Sequence, residues 1–193
     1  MEPRRILILD GHPDPDPARF CHALAAAYRQ GAAESGHEVH AVSLPEMDFP
    51  VLTTRHDWEA APPGDPVRAF QDELAWAEHL VIIYPLWLGM MPARLKALFE
   101  QAFRPAFAFG GKPAAPGAGR LKGRSARIIV TMGMPAFIYR TIFFAHSLKA
   151  LKSGILMLVG FGPVRDTVFG GVETRSDRAR LLKRVAAMGA RAA

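Results

Sequence analysis

At 193 residues, 50% of them hydrophobic, the chain is long enough for one domain with a sizeable core and too short for two comfortable ones. Lys+Arg 24 against Asp+Glu 18 gives a formal charge of +6, but the arginines are scattered or gathered in the late stretch RSDRARLLKR, and the stripe of basic and aromatic residues that nucleic-acid binding calls for is missing. One cysteine, Cys21, excludes an internal disulfide; no Cys/His spacing suggests a metal site; and the charged Glu2, Arg4 and Arg5 before a short apolar run exclude a signal sequence or membrane insertion there, so a soluble, cytoplasmic protein is expected.

Arg5 to Asp10, RILILD, reads as a first buried strand, closed by Gly11-His12-Pro13. After the loop DPDP, the positions Phe20, Leu24, Ala27 and Tyr28 mark one face of a helix over about 18–35, which Gly36 ends. His37 to Val42 alternates polar and apolar residues, as an edge strand does, and completes a βαβ unit whose crossover makes the strands parallel. Residues 43–65 carry Pro45, Pro50, Pro62 and Pro63 without a sustained period and read as a long surface excursion. Val67, Phe70, Leu74 and Ala77 then set a helix over 66–77 that delivers the chain into Leu80 to Tyr84, a continuous apolar run of the kind a strand buried on both faces requires. The turn between Pro85 and Pro92 holds Leu86, Trp87, Leu88, Gly89, Met90 and Met91, after which Leu95, Leu98, Phe99 and Phe103 recur at helical spacing. Large apolar side chains at the carboxyl end of a parallel strand suit either a flat aromatic ligand or a partner subunit.

Residues 104–122, rich in glycine, proline and alanine, read as a flexible loop or lid. Gly110-Gly111-Lys112 inside them lacks the full phosphate-loop pattern, which excludes an NTPase of that type. Ser125 to Thr131 is a fourth strand, followed by the turn Met132-Gly133-Met134-Pro135 and a helix over about 137–152. Ile155 to Phe161 reads as the fifth buried strand, with Val164 to Phe169 extending that region or pairing locally. A last helix over about 174–190 sets Leu181, Leu182, Val185 and Met188 on one face and arginines on the other.

Five strands alternating with helices predict a single α/β domain over 1–193, a three-layer sandwich with a five-stranded parallel sheet in the flavodoxin-like order 2-1-3-4-5. The first loop, with one glycine and three prolines, lacks the dinucleotide fingerprint. The amides of Ala18, Arg19 and Phe20 at the helix start offer an anion site, to which Arg19 adds charge. The switch point between the first and third strands brings the loops at 11–20, 85–91 and 131–139 to one cleft, with a phosphate at the first and a planar ring between the other two.

The stretch Leu80-Val-Ile-Ile-Tyr-Pro85-Leu86-Trp87, with Met91-Pro92-Ala93-Arg94-Leu95-Lys96 and Phe99-Glu100, resembles the ring-binding strand, turn and helix of the flavin-dependent NAD(P)H:quinone oxidoreductases, the DT-diaphorase-like family of flavodoxin fold. Gly11-His12-Pro13, Thr131-Met-Gly-Met134, and Ser153-Gly154-Ile155-Leu156 with Gly160-Phe161 are similar, in order and spacing, to that family's first loop, its loop after the fourth strand and its fifth strand. The resemblance implies hydride transfer from NAD(P)H to FMN or FAD and then to a quinone or similar flat acceptor. It implies that Pro85, Leu86, Trp87, Leu88 and Gly89 hold the flavin ring, that Thr131, Met132, Gly133 and Met134 flank it, and that His12, Arg19 and Phe20 hold the ribityl phosphate. Tyr139 falls at the family's active-site tyrosine and is the candidate donor to the reduced ring; His146, one residue beyond the matching histidine, is the candidate proton donor to the quinone. The chain departs from the pattern at Pro17 and Ala18, where members carry hydroxyls, and at Met134, where a second glycine is common.

Each of these side chains also has a plainer reading. Tyr139 can be a core or interface tyrosine, His146 a structural helix histidine, His12 a turn histidine bonded to backbone, and Trp87 a residue buried by a partner. The loop supply of Trp87, Leu88, Met90, Met91, Phe107 and Phe109, with Phe137, Phe143 and Phe144, exceeds what one small domain hides and predicts a homodimer whose interface completes the pocket. The alternative function is a regulatory flavoprotein docking on a larger partner such as a membrane transporter, as some relatives do, with 43–65 and 104–122 as docking surfaces.

Overall fold

A computed structural model describes residues 2–115 and 117–193. The strands β1 (Arg5–Asp10), β2 (Glu38–Ser43), β3 (His79–Pro85), β4 (Ser125–Thr131) and β5 (Val164–Phe169) pair in parallel, in the order β2-β1-β3-β4-β5. The helices are α1 (Phe20–Glu34), α2 (Arg55–Glu59), α3 (Asp65–Trp76), α4 (Ala93–Ala102), α5 (Pro105–Phe109), α6 (Ala136–Thr141), α7 (His146–Lys149) and α8 (Arg178–Gly189). Period-two alternation divides the strands between two cores. Ile6, Ile8, Val81 and Ile83 face α1 and α8, while Leu7, Leu9, Leu80 and Ile82 pack with residues of α3 and α4. β3, buried at every position, is the middle of this three-layer sandwich.

α1 and α8 meet backbone to backbone. A Cβ on Gly31 would lie 2.0 Å from the Ala186 carbonyl oxygen, and one on Gly189 would lie 2.1 Å from that of Tyr28.

Four expectations change. The fifth strand is Val164–Phe169, and Ile155 to Phe161 is not a strand: Ala150–Met157 continues α7 as a π-helix, with Leu151 and Leu156 inside the core. The helix expected over 137–152 breaks at Phe144 and Ala145, whose φ values of 49° and 47° lie in the left-handed region. The excursion at 43–65 turns inward, burying Leu44, Met47 and Phe49, and α4 and its end fasten it through Arg94 to the Met47 carbonyl and Gln101 to that of Pro50 (2.7 Å). The expected lid at 104–122 contains α5 and buries Ala108, Phe109 and Leu121, with the Leu121 amide donating to the Val159 carbonyl at 3.0 Å. Met91 likewise joins the core, leaving it and Phe109 out of any exposed patch.

Candidate functional site

A cleft of about 370 Å³ opens at the carboxyl ends of β1, β3 and β4. The first loop and the start of α1 bring His12, Asp14 and Ala18 to Cys21; the turn after β3 brings Pro85, Leu86 and Trp87; the loop after β4 brings Thr131, Met132 and Gly133. Val172, Glu173 and Arg178 close it from the chain after β5. Thus His12, Ala18, Arg19, Phe20, Pro85 to Trp87 and Thr131 to Gly133 converge, while Leu88, Gly89 and Met134 stand outside the lining. Asp14, Cys21, Val172, Glu173 and Arg178 were not anticipated. The last three follow the carboxyl end of β5, so locating that strand at 164–169 is the signal that would have found them.

The first loop is built on a two-residue repeat. Its odd positions Pro13, Pro15 and Pro17 have no N–H, and each even amide is captured by the side chain two residues earlier. His12 N donates to Asp10 Oδ1 (3.3 Å), Asp14 N to His12 Nδ1 (3.1 Å), Asp16 N to Asp14 Oδ1 (3.0 Å) and Ala18 N to Asp16 Oδ1 (3.0 Å). Arg19 N is also taken, by the Asp16 carbonyl at 3.0 Å. The anion site therefore shifts from Ala18 and Arg19 to the next amides, those of Phe20 and Cys21, which open α1 without a backbone partner among the described residues. Arg19 bonds Asp14 at 2.8 Å and Asp16 at 3.0 Å, so its charge is already compensated in part. Across the cleft Arg178 donates to the Val172 carbonyl (Nη2, 2.8 Å) and lies 5.4 Å from the Phe20 ring centroid.

Two histidines beneath this loop are pushed in opposite directions. His22 Nδ1 lies 2.5 Å from Asp10 Oδ2 and its Nε2 3.0 Å from the Asp14 carbonyl, two acceptors that suit a ring protonated on both nitrogens. Burial opposes that charge, but the Asp10 hydrogen bond and carboxylate outweigh it and raise the His22 pKa. His12 is pushed the other way by burial and by His22. Because its Nδ1 accepts the Asp14 amide, neutral His12 carries its proton on Nε2, and its ring meets Trp87 edge-on at 6.0 Å. Cys21 Sγ lies 3.3 Å from Thr131 Oγ1, and burial pushes the thiol up to about 12, which keeps it an inert lining group.

The turn after β3 is a tight hairpin, with reciprocal 2.9 Å bonds between Trp87 and Met90. Leu88 (φ 47°) and Gly89 (φ 77°) occupy its tip in left-handed conformations, as such turns demand. Leu86 N donates to the Thr131 carbonyl at 2.7 Å, which ties the second loop to the third.

The two residues proposed for proton transfer lie apart from the cleft lining. Tyr139 is fully buried; its Oη lies 2.6 Å from Ser147 Oγ and accepts from Leu148 N at 3.1 Å, a brace between α6 and α7. His146 is exposed beside Phe143. Among the described residues no cluster of three or more His, Cys, Asp or Glu could hold a metal ion, and no helix is long and apolar enough to cross a membrane.

A planar ring beside Trp87 with an anionic tail toward Phe20, Arg19 and Arg178 fits this lining. Comparison with known proteins bears on family and fold. The profile of Flavodoxin_2, described as a flavodoxin-like fold, matches residues 4–192. An uncharacterized NAD(P)H oxidoreductase of Haemophilus influenzae is 26% identical over 178 residues, 90% of this chain and 87% of its own. The solved structure of Smu.1420 from Streptococcus mutans is 27% identical, with a TM-score of 0.79 over 97% of this chain and 99% of that one. That of an NAD(P)H:quinone oxidoreductase from Methanothermobacter marburgensis is 22% identical, with a TM-score of 0.81 over 98% and 96%.

Proposed function

The chain belongs to the Flavodoxin_2 family, and from that premise we propose that it is a cytoplasmic flavin-dependent oxidoreductase that takes electrons from NAD(P)H and passes them to a quinone or similar flat acceptor. The observation that carries the reading is the cleft itself, which pairs an aromatic wall at Trp87 with a helix start and two guanidiniums, Arg19 and Arg178, at the switch point of the sheet. FMN, or the corresponding half of FAD, supplies hydride acceptance and delivery when bound.

The chain's own residues bind and orient. The amides of Phe20 and Cys21, with Arg19 and Arg178, hold the phosphate, and neutral His12 adds an N–H donor without adding charge. Trp87, with Pro85 and Leu86, forms one wall of the ring site, and Thr131 to Gly133 with Val172 form the other. Gly133 keeps that wall low: a Cβ there would lie 3.3 Å from the Glu173 carboxylate. Tyr139 holds α6 against α7 rather than donating to the ring. A homodimer whose interface covers the Trp87–Met90 turn belongs to the same proposal.

Titration of the purified protein with FMN and with FAD, followed by flavin fluorescence, tests the reading. Tight binding of at least one, and ping-pong oxidation of NADH or NADPH with a simple benzoquinone, are expected. Protein that stays colourless with both flavins overturns it. Heat release and chromatography of the bound flavin then separate FMN from FAD.

A further inference from the structure

Residues 170–175 form a wall whose two sides face different places. The wall is fixed to the loop after β4 by Met132 N to Phe169 O (3.0 Å), Val172 N to Met132 O (3.2 Å) and Gly171 N to Met134 O (3.0 Å). Val172 and Glu173 line the cleft. Behind them Gly171, Thr174 and Arg175 line a groove that runs onto α8 and is continued by Arg180 and Arg184.

Charge in this groove is lopsided. Arg175 is neutralised by Asp177 through two 2.6 Å bonds in a forked pair. Arg180 and Arg184 have no carboxylate within salt-bridge range among the described residues, and no other acidic side chain lines the groove. They stand four residues apart, on one face of α8, so both guanidiniums serve one site. Arg184 is also held over the Phe169 ring at 5.8 Å. In the cleft, by contrast, Arg19 already faces two carboxylates.

We propose that this groove receives the 2′-phosphate of NADPH, so that the protein takes NADPH in preference to NADH. The inference rests on the oxidoreductase reading above and names its donor. A phosphate monoester carries close to two negative charges near neutral pH, which two uncompensated guanidiniums match in number and in forked geometry. NADPH and NADH differ by that group alone. A nicotinamide ring must enter the cleft, and its adenylate tail must leave it; the groove adjoins the cleft across a single wall.

Calorimetric titration of the flavin-loaded protein with 2′,5′-ADP and with 5′-AMP reads the site without turnover. Wild-type protein is expected to bind 2′,5′-ADP at least about tenfold more tightly than 5′-AMP. In the R180Q/R184Q double variant that preference vanishes, and the NADPH-to-NADH ratio of kcat/KM falls by about 10- to 100-fold, the range lost with charge-assisted hydrogen bonds. K183Q, on the same helix but outside the groove, lowers the net charge by one, as each single arginine substitution does, and keeps the ratio. Equal binding of the two adenylates by the wild type, or a kcat/KM ratio that survives the double substitution, overturns the proposal. Failure to oxidise either dinucleotide instead overturns the oxidoreductase reading, which the adenylate titration keeps distinguishable.

Discussion

Tyr84 and Tyr139 are both fully buried, and they differ in what their hydroxyls find. Among the described residues Tyr84 Oη has no hydrogen-bond partner, while Tyr139 Oη has two. An orphaned buried hydroxyl costs about 1–3 kcal/mol, so Tyr84→Phe is expected to raise the unfolding free energy by about 1 kcal/mol and Tyr139→Phe to lower it by about 1–2 kcal/mol. Urea unfolding of the two variants checks the order, and the reverse order would refute the accounting. His79 gives a pH signature. Burial first, then Arg4 and Arg127, lowers its pKa to about 3, and its neutral ring bonds Ser125 Oγ (2.8 Å) and Tyr28 Oη (3.1 Å). The unfolded chain takes up that proton below 6.5 and the folded one does not, so stability falls by about 1.4 kcal/mol per pH unit from 6.5 down toward 3. His79→Asn should flatten that slope in unfolding titrations. His22 works in the opposite sense: its raised pKa contributes stability that is complete below 6.5 and is lost as pH rises through the folded value. Unfolding titrations above pH 6.5 should therefore show a decline that His22→Gln lacks. Residues adjoining strand ends, such as Pro85 to Trp87 and Thr131 to Gly133, were readable because a strand's end fixes where they lie. The side that Tyr139 and His146 face was not readable, since a place in a helix does not fix it.

Among the elements, β5 shows what sequence pattern can and cannot decide. ILMLVGF, at 155–161, is the most apolar run of its region, yet a short apolar run serves a buried helix as well as a buried strand. VRDTVF is the real strand, and its polar positions belong to an edge that is solvated on one side. At the opposite edge the alternation of β2 does announce its strand. The break at Phe144 and Ala145 has no glycine or proline to announce it. α1 and α8 supply a test at this scale. Because an added methyl on Gly31 would fall 2.0 Å from the Ala186 carbonyl oxygen, backbone must move, and Gly31→Ala is expected to cost about 1–3 kcal/mol despite its better helix propensity. A melting temperature that rises in that variant would show that the two helices are free to slide apart.

For the whole molecule, the sheet order followed from five alternating elements, but assembly depends on surfaces that periodicity does not describe. Met91 and Phe109 proved to be core and Phe107 is half-buried, which leaves exposed, of the predicted apolar supply, Trp87, Leu88 and Met90 on the turn after β3 and Phe137, Phe143 and Phe144 beyond the loop after β4, joined there by Ile142; Val51 and Met157 are also exposed. Leu88 is 104% exposed and sits at φ 47°, an arrangement that gives up burial and adds strain, as Phe144 does at φ 49° and 66% exposure. Isolated exposed leucines need no explanation, but two strained, exposed apolar side chains on loops that follow adjacent strands of the cleft mark a surface meant to be covered. In the proposed homodimer a second copy related by a twofold axis would cover both at once and shield the ring wall at Trp87. Light scattering of flavin-loaded protein at micromolar concentration is therefore expected to give twice the 21.1 kDa chain mass. L88D/F144D should shift the mass to one chain and weaken flavin binding about tenfold, because the covered wall becomes open to water. An active wild-type monomer, or a monomeric variant that binds flavin as tightly as the wild type, would separate the site from the interface and leave the cleft complete within one chain.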